Sequence, residues 1–417
     1  MKRSIISPTE RAEFRRSWPV LLAATVGCFS GLTTIPFYSL GSFITPLQSE
    51  FGWGRGEISC SFLYLTLVLA LTSPVLGYLI DRIGVRPVAL VSIPLLSLVL
   101  FLISRFEGSI NGFHALYGVA ALVGGGATPI AYSRAVNGNF DTARGLALGI
   151  SLAGMGLAAV VLPSMLSVTI QDHGWRAGYQ LIALFTLVPW PFVYFGFKSQ
   201  VTSKPRGHAA EFTRSEVLRT GVFWSMSLAF AASAVAVSAL VVHMTPLLHD
   251  AGLSAAAVAR IVSLIGLGVL GGRIVVGYLI DRFFAPYVAA VLFCGTALGC
   301  TLLLFAGVSV APVAGMLTGL SLGAEVDLIA YMTSRYFGMK RYGFVYAIAY
   351  SIYAIGASSG PTLAGLSFDA THSYNSMLTG VIALLIGAAI AMLCLPRFER
   401  FSDGRAQLTP RDQPANA

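Results

Sequence analysis

Three ionisable side chains lie inside long apolar stretches of the sequence, and their types suggest binding or proton chemistry. They are Arg273, Glu325 and Asp327. A charge at the depth of a lipid bilayer costs several kcal/mol, so a charge that is retained there faces a cavity or a partner. The sequence therefore indicates a site that combines one cation with carboxylates inside a membrane.

The guanidinium of Arg273 is the candidate binding group for an anion. It can hold a carboxylate through two parallel hydrogen bonds and stays charged at any working pH. Arg273 precedes Asp281 by eight residues, as Asp327 precedes Arg335, and both helices are predicted to end near these later residues. At about 1.5 Å rise per residue, both lie roughly 12 Å deep. The alternative is a structural ion pair that joins the two helices.

Glu325 and Asp327 are the candidates for proton coupling. They lie about 200° apart around a helix, so they cannot face one cavity; Asp327 shares its face with Tyr331. A carboxylic acid shielded from water can take up and release a proton near neutral pH. A bound carboxylate could displace Asp327 from Arg273, and the freed aspartate could take the proton. The sequence leaves open that Asp327 only neutralises Arg273 while neighbouring helices hold Glu325.

The elements that must position these residues are membrane-spanning helices. Of 417 residues, 56% are hydrophobic and 11% charged, whereas soluble domains carry about 25% charged residues. A span needs about 20 apolar residues, and the sequence offers twelve candidates: 18–44, 58–80, 88–105, 112–133, 145–168, 179–197, 222–244, 258–280, 287–306, 311–333, 343–366 and 376–395. The first is too long for a secretory signal, so we expect it to be retained.

The distribution of lysine and arginine predicts which side each loop occupies. With both termini in the cytoplasm, 22 of the 27 basic residues fall inside and one, Arg273, lies within a span. The four assigned to the outside are Arg55, Arg105, Arg176 and Arg260. This asymmetry follows the positive-inside rule. The formal net charge of +9 is therefore a topology signal and gives no reason to expect nucleic acid as a partner.

An internal repeat divides the chain into two halves. The hexapeptide at 77–82 recurs unchanged at 277–282, and the same shift aligns Gly52 with Gly252. The sequence thus predicts an all-α membrane protein of twelve helices in two pseudo-symmetric six-helix bundles, whose substrate site lies between the halves near the midplane. The predicted segments are a cytoplasmic N-terminus (1–17), a bundle (18–197), a cytoplasmic linker (198–221), a second bundle (222–396) and a disordered cytoplasmic tail (397–417).

The chain resembles the major facilitator superfamily over all twelve spans. The loop Gly77-x-x-x-Asp81-Arg82-x-Gly84-x-Arg86 matches the superfamily's signature, with a shortened copy at 277–282. Arg134 and Arg335, each preceded by a serine at a cytoplasmic helix end, are expected to contact Asp81 or Asp281 when the inner gate closes. The alternative is that both side chains extend to the membrane interface. The expected gating residues are Asp81, Arg82, Arg86, Arg134, Asp281, Arg282 and Arg335.

Within the superfamily, the stretches at 51–59 and 144–154 are similar to the monocarboxylate transporter and oxalate/formate antiporter branch. The resemblance implies that Arg273, followed by x-x-x-Gly277, binds a carboxylate, and that Tyr38 and Tyr331 enclose it; packing is the alternative for each tyrosine. Two departures matter. Val269 replaces an aspartate that is frequent in monocarboxylate transporters, and residues 343–366 lack the second cation for oxalate. A monoanion therefore fits better.

The sequence thus predicts a proton-coupled transporter that takes up a small monocarboxylate by alternating access. The alternatives are an anion exchanger of the oxalate/formate type and an exporter of drugs or metabolites.

Enzyme function is not expected, because Gly319-x-Ser321-x-Gly323 lies inside a continuous apolar helix and a Walker A loop is absent. We expect a monomer in the bilayer, without metal or cofactor. His114 and His243 are expected to lie solvated at outer helix ends.

Overall fold

In the computed structural model, the described residues are 8–140, 143–197, 214–280, 282–337 and 342–398, without the side chains of 8, 74, 81, 144, 145, 214, 215 and 342–344. All regular elements within those ranges are helices. The first half contains α1 (Pro8–Phe29), α2 (Thr34–Phe51), α3 (Arg55–Ile83), α4 (Val85–Ile103), α5 (Ile110–Gly124), α6 (Pro129–Asn137), α7 (Arg144–Leu187) and α8 (Pro189–Gly196). The second half contains α9 (Arg214–Arg219), α10 (Gly221–Asp250), α11 (Ala255–Ile280), α12 (Ala285–Ala306), α13 (Ala311–Phe337), α14 (Tyr342–Thr371) and α15 (Asn375–Leu393).

The helices account for the predicted twelve crossings. Nine helical stretches among the described residues are long and apolar enough to cross a membrane. Two are too long for one crossing: Leu146–Gly196 has 51 residues and breaks at Gly174 (φ 79°), and Ala285–Phe337 has 53 and is interrupted at Gly307–Val310. With these two divided and α14 counted as a crossing, the all-α fold of twelve membrane helices is confirmed.

Two spans that the sequence predicts as continuous are broken near their middles. The span 18–44 is interrupted at 30–33, between α1 and α2, and 112–133 is interrupted by the 3-10 turn Gly125–Ala127. The two breaks touch, because the Leu32 amide donates a 2.8 Å hydrogen bond to the Ala127 carbonyl. Small residues at both places let the two backbones approach closely. Backbone N–H and C=O groups that lose their helical partners at the breaks can then bond to each other.

The repeated glycines occupy equivalent places in the two halves. Gly52 ends α2 with φ 70°, and Gly252 follows α10 with φ 82°. A left-handed backbone at a helix end favours glycine, because it lacks the Cβ atom that would clash. The repeat seen in the sequence therefore corresponds to the same turn in each half.

Each half has a hydrophobic core of its own. In the first, the rings of Phe43 and Tyr179 stack with centroids 4.1 Å apart. In the second, Phe230 and Phe293 meet edge to face at 5.9 Å. Most of the predicted linker, from 198 to 213, and the tail from 399 onwards lie outside the described residues, so these segment assignments stay predictions.

Two glycine faces pack α11 against α13 in the second half. Gly268 and Gly272 face Gly319 and Leu320 on the neighbouring helix, and a Cβ atom at Gly268 would lie 2.9 Å from the Cα of Gly319. Ser321, between Gly319 and Gly323 in the sequence, is fully buried inside a continuous helix. This close approach fixes the distance between the helices that carry Arg273 and Asp327.

We expect Gly319→Ala to lower the free energy of unfolding by about 1–3 kcal/mol, because the new methyl group would overlap the Ile265 carbonyl. The matched control is Gly380→Ala, since a Cβ atom there meets nothing within 4 Å and alanine favours the helix by about 0.5–1 kcal/mol. Thermal unfolding in detergent should show a lower melting temperature for Gly319→Ala and a higher one for Gly380→Ala, each relative to the unmodified protein. Equal melting temperatures would mean that the glycine contact is not tight.

The two halves touch mainly near one end of the bundle. We call the end with the α2–α3 and α10–α11 connections the Arg55 end, and the end with the α3–α4 connection the Arg82 end. Near the Arg55 end, a Cβ atom at Gly365 of α14 would lie 2.5 Å from the Cα of Gly56 of α3. Ser263 of α11 donates a 2.8 Å hydrogen bond to the Val160 carbonyl of α7. The halves are therefore in backbone contact at this end.

The space between the halves widens towards the Arg82 end. Cβ atoms added at Gly77, Gly149 or Gly277 would meet no atom of the described residues within 4 Å. These glycines lie on α3, α7 and α11, the same helices whose other ends are in contact. The described residues thus form a bundle that is closed at the Arg55 end and open towards the Arg82 end.

Candidate functional site

Arg273 and Asp327 meet across the α11–α13 contact. Arg273 Nη1 lies 3.5 Å from Asp327 Oδ1, and the side chains expose 17% and 38% of their surfaces. A distance of 3.5 Å is long for a charge-assisted hydrogen bond. The Nε–H of Arg273 is buried, and no described residue accepts a hydrogen bond from it. The pair is therefore loose, and the guanidinium keeps a free donor.

Residues of both halves lie near the same guanidinium. Tyr38 on α2, Cys28 on α1 and Tyr350 on α14 are close enough to interact electrostatically with Arg273. The break at 30–33 separates Cys28 from Tyr38 along the chain. The site thus lies between the halves and combines a cation with tyrosine side chains of each half.

Glu325 occupies a separate, sealed position. Its side chain is fully buried, and its two carboxylate oxygens accept hydrogen bonds from Ser233 on α10 and from Tyr353 on α14, the latter at 3.0 Å. Two donors from two helices satisfy the carboxylate. Glu325 is therefore held by its neighbours, whereas Asp327, two residues on, reaches the open space.

Tyr331 lies one turn beyond Asp327, nearer the Arg82 end. Its ring is 6.5 Å from that of Phe398 and 6.0 Å from the Arg335 guanidinium. Tyr38 and Tyr331, predicted as a pair, thus lie at different levels. Tyr350, which the sequence analysis did not single out, is the tyrosine of the second half that interacts with Arg273.

The predicted gating arginines mostly lie over aromatic rings. The Arg86 guanidinium is 5.1 Å from the ring of Tyr194, Arg282 is 3.5 Å from Tyr278, and Arg335 is 5.3 Å from Phe398. Arg82 is exposed at the end of α3, and Arg134 lies on α6. Asp281 and the side chain of Asp81 lie outside the described residues. Contacts between these arginines and the two aspartates therefore stay predictions.

A polar cluster that the sequence analysis did not predict closes the Arg55 end. The Arg55 guanidinium binds Asp250 through both terminal nitrogens, at 2.6 and 2.9 Å, and lies 3.8 Å from the Phe368 ring. Asp369 accepts the backbone N–H groups of Arg55 and Gly56, both at 2.8 Å. Because Asp250 and Asp369 belong to the second half, the cluster joins the halves. The sequence offered one signal for this cluster: Arg55 is one of only four basic residues expected on the outer side of the membrane.

The expectation that His114 and His243 are solvated is wrong. His243 is fully buried and His114 is 8% exposed. His114 Nε2 lies 2.8 Å from the Glu57 carbonyl, and His243 contacts Ser59, Pro361 and Tyr374. The two side chains are buried because neighbouring helices pack over them. A helix end that stood alone would leave them in water.

A further cavity of about 290 Å³ lies near the Arg55 end between α2, α7, α10 and α11. Its polar lining includes Thr45, Gln171, Thr245 and His249, and no lysine or arginine is among the lining residues. An anion would find no permanent positive charge there. The region around Arg273 is therefore the better candidate for binding a carboxylate.

The sequence has relatives among known proteins. The sequence profile of the Major Facilitator Superfamily matches residues 26–314. Monocarboxylate transporter 11 from Homo sapiens is 25% identical over 404 residues, which cover 91% of this chain and 83% of that protein. The oxalate:formate antiporter of Oxalobacter formigenes is 24% identical over 399 residues, covering 90% and 91%.

Solved structures share the fold. The crystal structure of a D-xylose-proton symporter superposes with a TM-score of 0.71 at 12% sequence identity, covering 92% of this chain and 98% of that one. At this identity the likeness concerns the fold alone. It extends the match beyond residue 314, where the family profile ends, to nearly the whole chain.

Proposed function

We propose that this chain, which belongs to the major facilitator superfamily and is a membrane transporter rather than an enzyme, carries a small monocarboxylate together with a proton. The finer assignment of cargo and coupling is the proposal. It rests on the site around Arg273 and on the kinds of transporter that the chain resembles.

One observation carries the proposed cargo class: the Arg273 guanidinium is only loosely paired and keeps a free donor. Its contact with Asp327 is 3.5 Å long, and its Nε–H has no acceptor among the residues that the structure describes. A carboxylate could accept from Nε and one terminal nitrogen at once, which is the geometry that a guanidinium favours. A single negative charge would match the single cation, and Tyr38 and Tyr350 could donate to it.

Asp327 supports a mechanism of proton coupling. When a substrate carboxylate binds Arg273, Asp327 loses its counter-charge in a region shielded from lipid and from the Arg55 end. Taking up a proton removes the cost of the unpaired charge. Substrate and proton would then be released together when Asp327 pairs with Arg273 again. Glu325 supports this role less, because two hydroxyl donors already hold it in a closed pocket.

The proposed orientation places the Arg55 end outside and the Arg82 end in the cytoplasm, with both chain termini in the cytoplasm of a cell whose plasma membrane holds the protein. The 22-to-4 distribution of basic residues supports it. The described conformation would then face inward. An inward proton gradient would drive uptake of an anion that an inside-negative potential opposes.

Anion exchange is the second candidate, favoured by the likeness to the oxalate:formate antiporter. Exchange needs a cationic site but no proton. A dianion such as oxalate would leave one charge unmatched at Arg273, since the described side chains of α14 near it are tyrosines rather than cations. The site therefore suits formate and larger monocarboxylates better than oxalate.

Purified protein in liposomes with an acidic exterior should accumulate a labelled monocarboxylate, tested with a panel that includes formate, lactate, pyruvate and oxalate. For one proton per anion, accumulation should approach about tenfold per unit of pH gradient. A protonophore should abolish it, and protein-free liposomes provide the baseline. If accumulation needs preloaded anion and ignores the protonophore, the protein is an exchanger; accumulation of oxalate alone would contradict the proposed cargo.

A further inference from the structure

His243 lies at the centre of the contact between the halves at the Arg55 end. It is fully buried on α10, near the junction with α3, α14 and the start of α15. Its Nδ1 lies 3.0 Å from the Tyr374 hydroxyl. Its Nε2 lies 2.9 Å from the Pro361 carbonyl and 3.2 Å from the Ser59 hydroxyl. Ser59 belongs to the first half, so the imidazole itself bridges the two halves.

The hydrogen-bond partners define which ring nitrogen carries the proton. The Pro361 carbonyl can only accept, so Nε2 must donate to it. The Tyr374 oxygen accepts from Arg55 Nη1 at 2.8 Å, and the Tyr374 O–H then donates to Nδ1. This leaves Nδ1 as an acceptor with no proton. The chain Arg55–Tyr374–His243–Pro361 is satisfied throughout only by a neutral imidazole.

We propose that His243 is a proton-binding site, and that the Arg55 end closes only when this site is empty. A proton that binds the Nδ1 lone pair turns that atom into a donor. The Tyr374 O–H then loses its acceptor, and its oxygen faces two cationic donors, Arg55 and the imidazolium. Opening the Arg55 end separates Arg55 and Ser59 from His243 and gives the imidazolium access to water. Protonation therefore favours the state open at this end.

In the part of the chain that the structure describes, no carboxylate bonds to the His243 ring. The charged and titratable groups that surround it are Arg55 and Cys60 on α3, Asp369 on α14, Tyr374 before α15, and His249 and Asp250 on its own helix. Asp250 is bound by the Arg55 guanidinium, and Asp369 by the backbone N–H groups of Arg55 and Gly56. In the closed state both carboxylates are thus engaged at the start of α3 and leave no acceptor for a second proton on the ring.

Cys60 is a native reporter of this contact, because it follows Ser59 on α3 and its side chain is partly covered in the closed state. Purified protein in detergent is treated with a maleimide at about pH 7.5 and about pH 5.5, and modification of Cys60 is read by mass spectrometry of its peptide. Relative to His243→Gln, which does not titrate, labelling of the unmodified protein should rise roughly threefold to tenfold at the lower pH. The ratio removes the pH dependence of maleimide chemistry itself.

Two further variants make the test decisive. His114→Gln, which removes a buried histidine within the first half, should keep the pH response of the unmodified protein. Tyr374→Phe should raise Cys60 labelling at about pH 7.5 by roughly threefold to tenfold, because the closed state loses two hydrogen bonds. A ratio to His243→Gln that does not change with pH overturns the proposal, as does Tyr374→Phe labelling at the rate of the unmodified protein. The readout needs no substrate, so it is independent of the proposed cargo and of the orientation in the membrane.

Discussion

Arg273→Ala should reduce uptake of a monocarboxylate at least about 30-fold, since truncating one partner of a desolvated charge pair costs about 2–5 kcal/mol. The guanidinium is the group with a free donor in the space between the halves, and alanine leaves Asp327 without its counter-charge. Arg273→Lys keeps the charge but loses the paired donors, so we expect an intermediate rate. Initial rates of labelled uptake into liposomes measure both.

The matched control is Arg260→Ala, because Arg260 lies on the same helix and is exposed at the Arg55 end. It should transport at the rate of the unmodified protein. Thermal unfolding in detergent should show that Arg273→Ala remains folded. Uptake by folded Arg273→Ala at the control rate would reduce this arginine to a helix-pairing role and remove the reason for an anionic cargo.

Asp327→Asn should uncouple transport from protons while keeping exchange of labelled for unlabelled anion. An amide cannot take up the proton, but it leaves Arg273 free to bind the carboxylate. Accumulation driven by an acidic exterior should fall by about tenfold per unit of pH gradient, to the level of protein-free liposomes. Exchange should stay within roughly threefold of the unmodified rate, a change of under about 1 kcal/mol.

Glu325→Gln distinguishes the two carboxylates. Its amide can still accept from Ser233 or Tyr353, so the buried contact is partly preserved, and we expect proton-driven accumulation to persist. If accumulation is instead lost in Glu325→Gln and kept in Asp327→Asn, then Glu325 carries the proton. The proposal that substrate displaces Asp327 from Arg273 and so triggers proton uptake would then be wrong. Both variants are compared at equal amounts of folded protein.

The fold could be predicted because its main signals are local and additive. Apolar length gave the twelve spans, and the copy of 77–82 at 277–282 gave the two halves. The breaks at 30–33 and 125–127 could not be predicted, because they depend on each other: the Leu32 amide is satisfied by the Ala127 carbonyl of another helix. Hydropathy does not record such a pairing.

The site could be predicted only as far as single charges reveal it. Arg273 and Asp327 stand out because lipid excludes charge. Arg55, by contrast, lies in a polar loop, and its role becomes visible only when Asp250 and Tyr374 are brought to it from the other half. Tyr350 was missed, and His243 was wrongly expected to be solvated, for the same reason: their contacts involve partners that are distant in the sequence.

The glycine contacts at the Arg55 end have a consequence for trapping the carrier. A methyl group at Gly41 or Gly266 would overlap the backbone of Val242 or Val160 in the other half, and one at Gly365 would press on Gly56. Because these contacts exist only while that end is shut, alanine there would wedge it apart without touching the core of either half. Alanine at any one of these three glycines should therefore favour the conformation that is open at the Arg55 end, which could then be crystallised.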